Sequence, residues 1–124
     1  MTSNSKTVVV VGASRKPDRY SYKAVEALQG EGYRVVPMHP AGGMLLGEEV
    51  LRSLAELRGP VDTVTMYVRE SVSDDMEEAL LGLRPRRVVF NPGAENARLA
   101  SVLQAAGVET LEACTLVMLR TGQF

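Results

Sequence analysis

A chain of 124 residues with 45% hydrophobic side chains can bury the core of one domain and has little room for a second. Its 14 Lys and Arg and 15 Asp and Glu sum to a formal charge of -1, so the concentrated basic surface that a nucleic-acid partner needs is not expected, although a local basic pocket is still allowed. No apolar run approaches membrane-spanning length, and the single cysteine, Cys114, leaves no internal disulfide or paired thiol metal site, which favours a reducing, cytoplasmic setting.

Residues 1–6 are polar and too short for a signal peptide, and are expected to be a flexible tail ahead of one domain over residues 7–124. The run TVVVV at residues 7–11 is continuously branched, as suits a parallel strand buried on both faces. Gly12, a basic and polar loop, and Ser21 as the expected N-cap lead into a helix carrying Ala24, Val25 and Leu28, punctuated by Gly30 and Gly32. Residues 33–38, YRVVPM, predict a second strand, with Pro37 placing it at a strand end or irregularity rather than in a central ladder. His39, Pro40, Ala41, Gly42 and Gly43 form a loop whose glycine pair either brings backbone near a ligand or simply turns the chain.

Residues 45–47 read as a short crossover strand or extended edge, and residues 50–57 as a short helical region. Residues 61–68 predict another core strand after Gly59 and Pro60. An apolar stripe of Met76, Leu80 and Leu83 opposite Asp75, Glu77 and Glu78 predicts a surface helix over residues 74–83. Strand VVF at residues 88–90 ends in Asn91, Pro92 and Gly93. A helix over residues 95–106 with Leu99, Val102 and Leu103 inward, a strand at 108–111, and an apolar segment at 114–119 that fits no single type complete the chain. This alternation predicts an α/β fold: a Rossmann-like open, mostly parallel five-stranded sheet with helices on both faces.

In such a sheet ligands bind beyond the carboxyl ends of the strands, near the point where strand order reverses. That selects residues 12–21, 39–43, 68–71 and 91–93. Gly12 permits close approach, Ser14 offers a hydroxyl, Lys16 and Arg19 offer charge, and Ser21 with its neighbouring amides suits an oxyanion. The alternative is an ordinary solvated loop, and the full G-x-G-x-x-G fingerprint is missing. His39 could serve as acid or base, as a nucleotide contact or as a turn residue; Cys114 is expected in the core; the aspartates form no convincing metal constellation.

The stretch VVGASRKPDRYSYKAVEALQGEGYRVVPMHP, followed by LLGEEVLRSLAEL, resembles the small bacterial CoA-binding domain proteins related to the CoA-binding domain of the succinyl-CoA synthetase alpha subunit, from Val8 through TLVMLRTGQF. Phe90, Asn91, Pro92 and Gly93 stand where many relatives carry a tryptophan and a glutamine before the glycine; Glu112 and Ala113 replace a frequent Asp-Arg pair, and Tyr20 a frequent proline. The resemblance implies CoA or acyl-CoA as ligand. Gly12, Ala13, Ser14, Lys16, Arg19 and Ser21 would lie on its phosphate side, His39 and Pro40 beside the nucleotide, and Val68 along the crevice. The loop Asn91, Pro92 and Gly93 joins this expected cofactor-binding set. Nothing in the chain resembles the synthetase's phosphorylated-histidine loop, so the leading expectation is noncatalytic binding, with no catalytic residue and no metal.

Two other readings share the fold. A small NAD-binding oxidoreductase would need an acidic ribose ligand at the second strand end, where Met38 and His39 occur. A regulatory partner-binding protein would have a weakened nucleotide site, and apolar residues near the carboxyl end suit either a homodimer interface or a core.

Overall fold

The computed structural model describes residues 6–124; the expected tail lies, through residue 5, outside the described residues. In chain order the elements are β1 (Thr7–Val11), α1 (Tyr20–Gly30), β2 (Arg34–Met38), β3 (Met44–Leu45), β4 (Glu48–Glu49), β5 (Thr63–Met66), α2 (Glu70–Ser73), α3 (Glu77–Leu83), β6 (Arg87–Phe90), α4 (Ala97–Ala105), β7 (Glu109–Glu112) and α5 (Thr115–Arg120). Five strands pair in parallel in the order β2-β1-β5-β6-β7, the open α/β sheet that the alternation predicts.

Side chains alternate across a strand, so β1 feeds two cores. Val8 and Val10 pack with Val25 and Leu28 of α1 and with Leu119 of α5 on one face. Val9 and Val11 pack with Leu80 of α3 and Leu99 and Leu103 of α4 on the other. Both faces of β1 are thereby dry, which is why its sequence is unbroken by polar residues.

Several elements depart from the sequence expectation for local reasons. α1 begins at Tyr20 with Arg19 as its N-cap and no side-chain cap, so Ser21 lies inside the helix. Residues 50–57 are not a helix. Leu51 instead runs along the outer edge of β2, its N–H donating to the Pro37 carbonyl at 3.0 Å while its carbonyl accepts from His39 N–H at 2.9 Å. Only Leu54–Glu56 coils, as a 3-10 turn closed by a Ser53/Glu56 capping box. Pro37 is tolerated because β2 is an edge strand. Residues 45–47 belong to a small antiparallel hairpin, with Leu46 and Gly47 at φ 49° and 84°, the paired positive values of a tight hairpin turn. The helix expected over 74–83 starts earlier, at Glu70, and is interrupted by a 3-10 turn at Asp74–Met76. There Asn96 Nδ2 donates to Ser73 Oγ and Asp74 Oδ1, both at 2.8 Å, and Asn96 Oδ1 caps α4 through Leu99 N–H at 3.0 Å. The segment at 114–119 is helical from Thr115, with Cys114 at the N-cap.

At the amino end of the sheet Arg86 donates to both carboxylate oxygens of Asp62, at 2.7 and 3.1 Å, and Thr63 Oγ1 donates at 2.7 Å. The Arg86 hydrogen bond holds the Asp62 carboxyl below its ordinary 3.8. A depressed folded-state value means that the stabilisation is complete above the unfolded value and is lost as pH falls through the folded one. In urea unfolding between about pH 5 and pH 2 the wild type should therefore lose more stability than Asp62→Asn, which lacks the titrating group. Equal pH slopes for the two proteins would remove Asp62 from the acid response.

Candidate functional site

In this strand order the chain leaves β1 for β2 on one side and later returns to place β5 on the other, so the topological switch lies between β1 and β5. Gly12 stands there at φ 87°. A Cβ at this position would lie 2.9 Å from Val68 Cγ1 and 3.3 Å from the Tyr67 carbonyl carbon and oxygen, so only glycine lets the two strand exits meet. Gly12 and Ala13 N–H both donate to the Met38 carbonyl, at 2.9 and 3.0 Å, which ties the first loop to the end of β2.

The first loop is internally braced. Ser14 N–H donates to Ser21 Oγ at 3.0 Å and Lys16 N–H to Ser14 Oγ at 3.1 Å. Ser21 is 5% exposed, so its hydroxyl acts as a strut beneath the loop, while Lys16 and Arg19 project from an exposed stretch. The amides of Tyr20, Ser21 and Tyr22 open α1 with no capping side chain, a concentration of donors and dipole suited to an anion.

The second loop is a turn in which Gly42 N–H donates to the His39 carbonyl at 3.0 Å, with Pro40 at its second position. His39 Nδ1 accepts from Ala41 N–H at 3.0 Å, so this exposed ring helps to close its own turn. The two loops enclose a cleft of about 190 Å³ lined by Ala13, Ser14, Arg15, Lys16, His39, Ala41, Gly42 and Val50. Among the expected set, Ala13, Ser14, Lys16 and His39 are thus brought together, and Val68 reaches Gly12 from β5.

Asn91 has a different setting from its loop neighbours. It is 1% exposed; Nδ2 donates to Thr65 Oγ1 at 2.7 Å and to the Met66 carbonyl at 2.9 Å, and Oδ1 accepts from Thr115 N–H at 2.8 Å. It locks the ends of β5 and β6 to the start of α5. Pro92 and Gly93 are exposed in a turn closed by Ala94 N–H donating to the Asn91 carbonyl at 2.8 Å, with Gly93 at φ 90°. The Thr65 and Thr115 hydroxyls bond each other at 2.7 Å. The nearby Tyr67 hydroxyl is buried with no hydrogen-bond partner among the described residues, and burial pushes its pKa up to about 12, so it stays a neutral phenol.

A broad open groove of about 1000 Å³ runs between α1 and α5, with Pro17, Tyr20 and Lys23 on one wall and Cys114, Val117 and Arg120 on the other. Cys114 is half-buried at this groove rather than in the core. Among the described residues no group of three His, Cys, Asp or Glu could hold a metal ion, and no helix is long and apolar enough to cross a membrane. Two residues outside the sequence expectation approach the second loop: Arg15, inside the first loop and lining the cleft, and Arg52, which lines a neighbouring cavity and whose Nε would lie 2.8 Å from a Cβ on Gly42. The glycine pair was the available signal, since small residues there leave room for larger groups to approach.

The match to known proteins fits this geometry. The model of a CoA binding domain matches residues 6–120. An uncharacterized Bacillus subtilis protein, YneT, is 36% identical over 77 residues, 62% of this chain and 57% of that one, so the match spans less than two thirds of that relative. The crystal structure of an uncharacterized protein superposes with a TM-score of 0.91 at 36% identity, covering 98% of this chain and 99% of the other. A Thermus thermophilus structure, cell-free ID.343, gives 0.88 at 32% identity over 97% of this chain and 91% of the other. With a glycine corner at the switch point, an anion-ready helix start and a family match over nearly the whole sequence, this chain belongs to the CoA binding domain family.

Proposed function

We propose that the protein binds CoA or an acyl-CoA without transforming it. The diphosphate would lie on the first loop, against Gly12, Ala13, Ser14, Lys16 and Arg19, with Ser21 bracing the loop from below. The adenosine would lie toward His39 and Pro40, and the pantetheine would pass Val68 toward the Asn91, Pro92 and Gly93 turn. Kinship with the CoA-binding domain of the succinyl-CoA synthetase alpha subunit and a cytoplasmic setting belong to the same reading.

The observation that carries it is the uncapped start of α1 beside the Gly12 corner: backbone donors stand where a parallel sheet of this order takes its ligand, on a loop that also carries the Ser14 hydroxyl and the exposed Lys16 and Arg19. Two features of the candidate groups support a noncatalytic role. His39 is engaged in its own turn, Tyr67 is a neutral buried phenol, and neither is hydrogen-bonded to a nucleophile. Hydride transfer from NAD is not favoured, because among the described residues no carboxylate lines the cleft at the end of β2.

Titration calorimetry with CoA, acetyl-CoA, dephospho-CoA, NAD and ATP tests the reading. Saturable binding of CoA, tighter than that of NAD or ATP, is expected. Folded protein that ignores CoA while binding NAD tightly would overturn it.

A further inference from the structure

The groove between α1 and α5 lies outside the proposed ligand path, yet it gathers exposed apolar surface and unpaired charge. Tyr20 and Val117, 69% and 44% exposed, stand on its opposite walls, so a large apolar side chain meets water on each side. The exposed Lys23, Glu26, Glu31 and Arg120 line the same groove. Among the described residues none of these four makes an ion pair; Lys23 has the Tyr20 ring, 5.8 Å from its ammonium. Two cations and two carboxylates cancel. That balance suits neither a small anion nor a small cation, and it does suit a surface that presents both signs.

The order of the charges selects the occupant. Lys23 precedes Ala27 by one helical turn and Glu31 follows it by one, while Ala27 and Gly30 add little bulk between them. A twofold axis through Ala27 lays a second α1 antiparallel to the first and exchanges those two positions, so each Lys23 meets Glu31 of the second copy. Glu31 gains most from that exchange. It sits at the carboxyl end of α1, where no basic residue in the last turn offsets the helix dipole, and a cation from the second copy supplies what its own helix lacks. A patch that is its own complement under a twofold rotation is the requirement of an isologous dimer. We infer that the α1–α5 groove is a homodimer interface, in which α1 of each chain crosses α1 of a second copy antiparallel about Ala27, pairing Lys23 with Glu31 and burying Tyr20 and Val117. Glu26 is then left to pair with Arg120 between α1 of one copy and α5 of the other.

The experiment is sedimentation equilibrium of the full chain in reducing buffer, so that the half-buried Cys114 cannot cross-link two copies and imitate the dimer. Between about 1 and 300 µM the apparent mass should rise from the 13.4 kDa of one chain toward twice that. Lys23→Glu and Glu31→Lys each set like charges face to face and should weaken the dimer about tenfold or more, while the double swap Lys23→Glu/Glu31→Lys should return to within about threefold of wild type. Val117→Glu should leave a monomer throughout that range. All three positions are exposed, so circular dichroism should show each variant folded. A wild type that stays monomeric overturns the inference and leaves the groove to a different partner or to none. A dimer indifferent to Val117→Glu places the contact elsewhere and overturns it as well. A double swap no better than its single members overturns the antiparallel register, and an open-ended ladder of larger species overturns the twofold.

Discussion

Gly12→Val should unfold the protein by about 10–20 °C earlier than wild type and abolish CoA binding. The backbone at residue 12 has φ 87°, a region that a β-branched residue enters only under strain of about 1–3 kcal/mol. The new Cβ would also stand 2.9 Å from Val68 Cγ1 and 3.3 Å from the Tyr67 backbone, and relieving that overlap costs about another 1–3 kcal/mol. Because Gly12 N–H and Ala13 N–H are both anchored to the Met38 carbonyl, the displaced turn drags the first loop off the second. Gly12→Ala carries the same contacts with a smaller side chain and should retain its fold while losing affinity. Gly82→Ala is the control: it sits in α3 with nothing within 4 Å of a new Cβ, so it should be neutral or slightly stabilising. Thermal unfolding and calorimetry on the three variants give the answer, and a Gly12→Val protein with wild-type melting would refute the role given to the corner.

Asn91→Ala should cost about 2–4 kcal/mol, because it strands Thr115 N–H and removes the donor to the Met66 carbonyl inside the protein. Asn91→Asp is more informative. A carboxylate keeps an acceptor for Thr115 N–H but turns a second acceptor toward the Met66 carbonyl, in a site 1% exposed. Burial raises the folded-state pKa of such a carboxyl above its unfolded value near 4, so the variant's deficit should grow as pH rises above that value and shrink in acid, where the protonated group can donate again. Denaturant unfolding from about pH 4 to pH 8 measures this. A deficit that is flat with pH would mean that the side chain has escaped to solvent.

The sheet was legible because its evidence is local. Five unbroken branched residues before Gly12 report a strand dry on both faces, and the stripes of Leu80 and of Leu99 and Leu103 report the helices that cover it. Residues 50–57 were not legible, since their conformation is set by hydrogen bonds to the edge of β2, distant in sequence. Asn91 reads in sequence as a loop residue of the expected cofactor-binding set. Its burial depends on Thr65 and Thr115, 26 and 24 residues away, and no local pattern encodes that. The glycine pair at 42 and 43 does signal a close approach to backbone. In the folded chain the approaching groups are the protein's own guanidiniums, and Arg15 passes unnoticed in sequence because a long exposed side chain leaves no periodic trace.

The two borders of the sheet carry a further consequence. Along β2, Leu51 already takes the outward Pro37 carbonyl and His39 N–H, and the Pro37 ring has no N–H to offer. Along β7, the strand is four residues long with exposed Glu109 and Glu112 at its ends. Strands of this kind are poor templates for a newcomer: one border is already capped, and the other meets an identical copy with like charges. The protein is thereby guarded against runaway cross-strand growth, and the faces left for a companion chain are those built from helices.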